Sequence, residues 1–85
     1  MNSEFATELL GVLSEALNIQ DGLRGLNESS PLLGAIPELD SMAVVTVLAA
    51  LEDHYGFVVD DDEINAQVFG TVGSLGNFVL SKLAA

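Results

Sequence analysis

Apolar residues at Phe5, Leu9, Val12, Leu13, Ala16 and Leu17 recur with the three-and-four spacing of one helix face, which predicts an amphipathic helix from Ser3 to Asn18. Ser3 or Asn2 can cap it, and Glu4 and Glu8 suit its first turns. The run from Ser41 to Tyr55 is different. Met42, Ala43, Val44, Val45, Val47, Leu48, Ala49, Ala50 and Leu51 leave almost no polar face, so this second helix is either central or offers an apolar surface to something else. Gly56 is placed to end it, and His54 suits the negative end of its dipole. A last helix follows Thr71, with Val72, Leu75, Phe78, Val79 and Leu83 as its buried stripe. Gly73 and Gly76 inside it each cost about 1 kcal/mol relative to alanine, which predicts the least stable of the helices.

Between these helices the pattern breaks down. Residues 20–40 hold Gly22, Gly25, Asn27, Ser29, Ser30, Pro31, Gly34 and Pro37, a long loop that Leu32, Leu33 and Ile36 are expected to pin to the core. Connections of that length are often functional. Phe57-Val58-Val59 resembles a strand but has no downstream partner, so it reads as extended coil. Asp60-Asp61-Asp62-Glu63 opens a short helix ending near Gln67. The expectation is an all-α bundle of three main helices plus one short helix, forming one domain over residues 1–85, a length at which a helical bundle is an economical way to close a single core.

Charge narrows the partners. Thirteen acids against Arg24 and Lys82 give a net charge of −11, which repels a phosphate backbone, argues against nucleic acid and favours brief encounters with basic proteins. A 49% hydrophobic content with mean hydropathy +0.46 argues for a folded chain despite that charge. The absence of cysteine removes disulfides and thiolate metal sites, so any thiol chemistry must come from an added group. No secretory pattern opens the chain, and the apolar run Met42 to Leu51 is too short to span a bilayer. These features predict a soluble, cytoplasmic monomer away from membranes.

Asp40 is a good N-cap residue, which puts Ser41 at the first helical position, beside unpaired backbone N–H groups. A phosphate esterified to its hydroxyl would be favoured there by about 0.3–1 kcal/mol when exposed. A hydrolytic triad is excluded by distance. Ser41 and the lone His54 lie about 20 Å apart along one helix. The acids at Asp60 to Glu63 lack the alternation and central glycine of a calcium loop, so a solvated helix start is the better account and no metal is expected. Gly70, Gly73 and Gly76 have neither the spacing nor the preceding strand of a phosphate loop, and read as looseness or as a close approach of the last helix.

Leu39-Asp40-Ser41-Met42, followed by an apolar helix, resembles the Asp-Ser-Leu signature of acyl and peptidyl carrier proteins. The order of the remaining parts is similar too: an amphipathic first helix, Pro31-Leu32-Leu33-Gly34 in a long loop, Leu51-Glu52-Asp53-His54-Tyr55-Gly56-Phe57, an acidic short helix, and a last helix after Thr71-Val72. The resemblance implies a non-catalytic carrier. In it Ser41, flanked by Leu39, Asp40 and Met42, bears covalent 4′-phosphopantetheine whose thiol shuttles an acyl or aminoacyl thioester between separate enzymes. It implies as partners a phosphopantetheinyl transferase, an acyl- or aminoacyl-loading ligase, and acyltransferase or synthase enzymes. It also makes Val45, Leu48, Phe57, Phe69 and Val72 candidates for a cargo pocket.

Fatty-acid carriers of this family usually show acids along the second helix near the serine. Here Ala43 and Thr46 occupy that stretch, and acids stand only at Glu38 and Asp40 before it and at Glu52 and Asp53 beyond it. The expected docking set is therefore Glu38, Ala43, Thr46, Val47, Ala50, Glu52 and Asp53, with Met42, Ala43, Thr46, Val47 and Ala50 as an exposed apolar patch. Charge reversal at Glu52 and Asp53 is expected to slow loading. The string from Leu32 to Val45 resembles stand-alone carriers of exopolysaccharide or exosortase-linked gene sets, beside fatty-acid-like and polyketide-like pathways. A different class, an unmodified protein–protein interaction module docking through the second helix, has Ser41 as a cap only.

Overall fold

The protein's structure, a computed structural model, describes residues 3–19, 23, 25–34, 36 and 39–84, without the side chains of Ser3, Ser41 and Asp61. Its elements are α1 (Ser3–Leu17), α2 (Ser41–Tyr55), a 3₁₀ turn (Asp61–Glu63) and α3 (Val72–Ala84). The fold is all-α. α1 packs mainly against α2 and to a lesser extent against α3.

α1 buries Leu9, Val12 and Leu13 and half-buries Phe5, Ala16 and Leu17, the face its periodicity marks. It stops at Leu17 because Asn18 turns left-handed (φ 57°). The Ile19 N–H donates to the Ser14 carbonyl at 2.8 Å and the Asn18 N–H to the Glu15 carbonyl at 3.3 Å, the paired bonds of a Schellman end with asparagine in glycine's usual place. The proposed cap residues of α1, Asn2 and the Ser3 side chain, lie outside the described residues. α2 ends at Gly56 (φ 78°), whose N–H donates to the Glu52 carbonyl at 2.8 Å.

The long loop is not structureless. Leu23, Leu32 and Leu39 are buried and Ile36 packs against the core. Residues 28–33 run antiparallel to residues 69–73, with Leu32 N–H donating to Gly70, Leu33 N–H to Phe69, and Val72 N–H to Ser30, each at 3.0 Å. Extended backbone alternates its side chains. Leu32 therefore points into the core while Leu33, expected to help pin the loop, is exposed.

That stitch also caps α3. Val72 and Gly73 donate to the Ser30 and Glu28 carbonyls, the Ser74 N–H donates to Thr71 Oγ1, and the Thr71 N–H donates back to Ser74 Oγ, both at 3.0 Å. The amides that a helix start leaves orphaned are thus satisfied. Gly73 is there for a close approach: a Cβ on it would stand 2.9 Å from the Glu28 carbonyl oxygen. In α3, Val72, Leu75 and Val79 are buried and Phe78 is half-buried, but Leu83, expected in the same stripe, is exposed because the core ends one turn earlier, at Val79.

The short helix is shorter than its pattern suggests. The 3₁₀ turn closes when the Asp60 N–H donates to Glu63 Oε2 at 2.9 Å. It cannot propagate because Asn65 starts a turn of its own, its Oδ1 accepting from the Val68 N–H at 3.1 Å. Among the described residues the short element between α2 and α3 is therefore this single 3₁₀ turn, beside the three main helices. Phe57-Val58-Val59 form no strand and carry no regular secondary structure, as expected of coil.

Candidate functional site

The start of α2 is built by its cap. Leu39 is buried and its N–H donates to the Ile36 carbonyl at 3.0 Å, which anchors the end of the loop. Asp40, extended at φ −103° and ψ −173°, accepts from the Ala43 N–H through its side chain at 2.8 Å and from the Val44 N–H through its carbonyl at 3.0 Å. Ser41 is then the first helical residue; the position of its hydroxyl lies outside the described residues, as does Glu38. Asp40→Ala is expected to cost about 1 kcal/mol, lowering the melting temperature by about 4–8 °C for a domain of this size. Asp40→Asn should restore nearly all of it, and paired thermal melts check both.

Met42, beside Ser41, is 76% exposed and Val45 is 64% exposed. Thr46 is exposed and bonds the Met42 carbonyl at 3.4 Å. Val47, expected in the docking patch, is fully buried, and Ala43 and Ala50 are half-buried against the core. A helix apolar on every side carries no periodic mark of its outer face, so only packing decides it. The exposed strip is Met42, Val45, Thr46 and Ala49.

Of the two acids at the far end, Asp53 is exposed, whereas Glu52 is half-buried with Oε2 accepting from the Val59 N–H at 2.7 Å. Glu52 is thus tied to the coil that follows α2. His54, on the last turn, places Nε2 3.2 Å from Glu8 Oε1 on α1. Among the described residues the buried Tyr55 hydroxyl has no hydrogen-bond partner of good geometry; burial first, and the neighbouring Glu8 carboxylate second, push the phenol above its ordinary range.

The expected pocket residues do not converge on one cavity. Val45 is exposed, Val72 is core, and Phe57 stacks on Tyr55 at 6.3 Å between ring centres. Two of the shallow grooves beside α2 share Ile64 as a wall. The first, about 320 Å³, is lined by Leu33, Val44, Ile64, Asn65, Ala66 and Phe69; the second, about 180 Å³, by Val45, Leu48, Ala49, Glu52, Val59 and Ile64. Sequence reasoning missed Val44 and Ile64. Val44 has a signal, three residues after Ser41 and so on its side of the helix; Ile64 has none.

Lys82 Nζ donates to both Glu63 oxygens, at 3.0 and 2.9 Å, tying α3 to the 3₁₀ turn. The Asp60 amide first, and Lys82 second, hold the Glu63 carboxyl below the usual carboxylate range. A lowered pKa means that Glu63 contributes stability above the ordinary glutamate range and loses it as the pH falls through its own lower value. Glu63→Gln should therefore flatten part of the acid side of the melting-temperature profile and change little below it. Among the described residues no group of three or more His, Asp or Glu is placed to hold a metal, and no helix is long and apolar enough to cross a membrane.

α2 thus starts with a capped turn whose first residue is Ser41, with exposed Met42 beside it. The family described as "Phosphopantetheine attachment site" matches residues 6–79. The chain is also similar to a holo acyl carrier protein from Nitrosomonas europaea, whose NMR solution structure superposes with a TM-score of 0.87 at 49% identity, covering 99% of this chain and 100% of that one. No curated protein sequence matches it. The chain belongs to the acyl carrier protein family, and 4′-phosphopantetheine, covalently bound, is its prosthetic group.

Proposed function

We propose that Ser41 is the attachment residue and that residues 1–85 act as one carrier domain, handing an acyl or aminoacyl thioester between separate enzymes. The pathways that fit are fatty-acid-like, polyketide-like or exopolysaccharide-associated. The observation that carries this reading is the start of α2: Asp40 holds the first turn, Ser41 opens it, and exposed Met42 leaves that end accessible. The bound group supplies the thiol on which cargo rides, and tethering keeps cargo at high effective concentration for each enzyme in turn. The chain's own residues supply position and recognition. His54 pairs with Glu8 at the opposite end of α2 and is no base for Ser41.

Incubation with a phosphopantetheinyl transferase and coenzyme A, followed by intact mass and peptide mapping, tests the assignment. A gain of one phosphopantetheine on the peptide containing Ser41 is expected; a gain elsewhere overturns it.

The docking strip is Met42, Val45, Thr46 and Ala49, with Asp40 and Asp53 as charges at its ends. Apolar contact holds the partner and the charges steer it. Val45→Glu should slow loading at every salt concentration, whereas Asp53→Lys should slow it a few-fold at low salt only, because exposed charges are screened. Rates measured as kcat/KM across ionic strength decide this. Glu52→Lys would also release the Val59 amide and so would not report on docking alone.

A further inference from the structure

Sulfur is scarce in this chain. It has no cysteine, and its two methionines are Met1 and Met42. Met42 follows Ser41 directly and is 76% exposed; no large apolar side chain among the described residues is more open to solvent. Successive residues of a helix are about 1.5 Å apart along its axis, so an enzyme that works on residue 41 covers Met42 as well. What that enzyme meets there is apolar. From Ser41 to Leu51 the helix carries no charged residue, and the Asp40 side chain before it is engaged by the Ala43 amide. Recognition close to the serine therefore falls on Met42 and on Val45, one turn on and 64% exposed.

We propose that Met42 is an oxidation-sensitive site whose sulfoxide blocks loading at Ser41. The inference rests on attachment at Ser41. A hydroperoxide is the oxidant. The sulfur lone pair attacks a peroxide oxygen, the O–O bond breaks as the S–O bond forms, and the proton left on the transferred oxygen passes to the departing one, which leaves as water or an alcohol. Sulfur gives up two electrons and the peroxide takes them. A dithiol reductase reverses the change, its thiols becoming a disulfide while the oxygen leaves as water. Oxidation turns an apolar side chain into a polar one, and covering that group with an apolar partner surface lowers affinity roughly ten-fold or more. The fold bears no comparable cost, because Met42 already faces solvent. Before the arm is attached, Met42 is the one sulfur beside Ser41 in the sequence, so the unloaded chain carries its own point of sensitivity.

The test treats the unloaded whole chain with hydrogen peroxide, removes the peroxide and locates the added oxygen by peptide mass. Phosphopantetheine transfer to the treated chain is then measured as kcat/KM, and transferase binding is titrated without coenzyme A. One added oxygen on the peptide holding Met42, an unchanged melting temperature, and a fall of about ten-fold in both kcat/KM and affinity are expected. Methionine sulfoxide reductase should restore both. Met42→Leu, judged against its own untreated rate, should not respond to peroxide, and Met42→Gln should load as slowly as the sulfoxide with or without it. An oxidised chain that loads as fast as the untreated one, an equal loss in Met42→Leu, or a melting temperature that falls on oxidation would overturn the proposal while leaving attachment intact. Untreated chain that gains no phosphopantetheine at Ser41 overturns the attachment and the oxidation site with it.

Discussion

Ser41→Ala is expected to abolish phosphopantetheinylation completely while leaving helix content unchanged and the melting temperature within a few degrees. Ser41 opens α2 but does not cap it: Asp40 accepts from the Ala43 amide, so the side chain at 41 is not needed for the helix to start. Alanine is the best helix former and suits that position. Loss of modification with the fold retained separates the carrier from an interaction module, which would keep its binding when Ser41 is changed. Intact mass after incubation with transferase and coenzyme A reads the first half of the expectation, and circular dichroism the second. Retained mass gain in the variant would place the attachment elsewhere.

Phe69→Ala should have the largest effect on stability of any single core truncation. Phe69 is the largest of the fully buried side chains at 1% exposure, and removing its ring costs about 3–5 kcal/mol. A chain of this length has about 4–13 kcal/mol in all. The variant should therefore lose a large part of its margin, read as a fall in the urea midpoint at unchanged slope. The Phe69 carbonyl still accepts from Leu33, so the loss belongs to packing rather than to the backbone stitch.

The three helices and the ends of α2 were legible because their signals are local. The Phe5 to Leu17 periodicity, the Asp40 cap and the Gly56 end each act over one or two turns, and each appears where its chemistry requires it. The outer face of α2 was not legible: a helix with Val44, Val45, Val47 and Leu48 close together presents similar stretches in several directions, and the choice of Val47 for the core comes from packing and not from the pattern. Glu52 was hidden for a related reason. Its role depends on Val59, seven residues away across a left-handed glycine, and no spacing rule announces that bond. The pairing of residues 28–33 with 69–73 is non-local altogether. Only Gly73, costly within a helix and kept there by the Glu28 carbonyl, hinted at it.

That pairing gives the molecule an order of assembly. α1 and α2 meet across a single loop, but joining Leu32 to Gly70 closes a circuit of roughly forty residues, whose ordering must be met before any bond repays it. The α1–α2 contact can therefore form early, and the seam between the long loop and the start of α3 closes late and opens first when the chain loosens. Leu33 and Phe69 sit on that seam and also wall the groove that Val44 lines. The part of the protein beside the first turn of α2 is thus the part with the weakest claim on the folded state, and its amides should be the least protected from exchange with solvent.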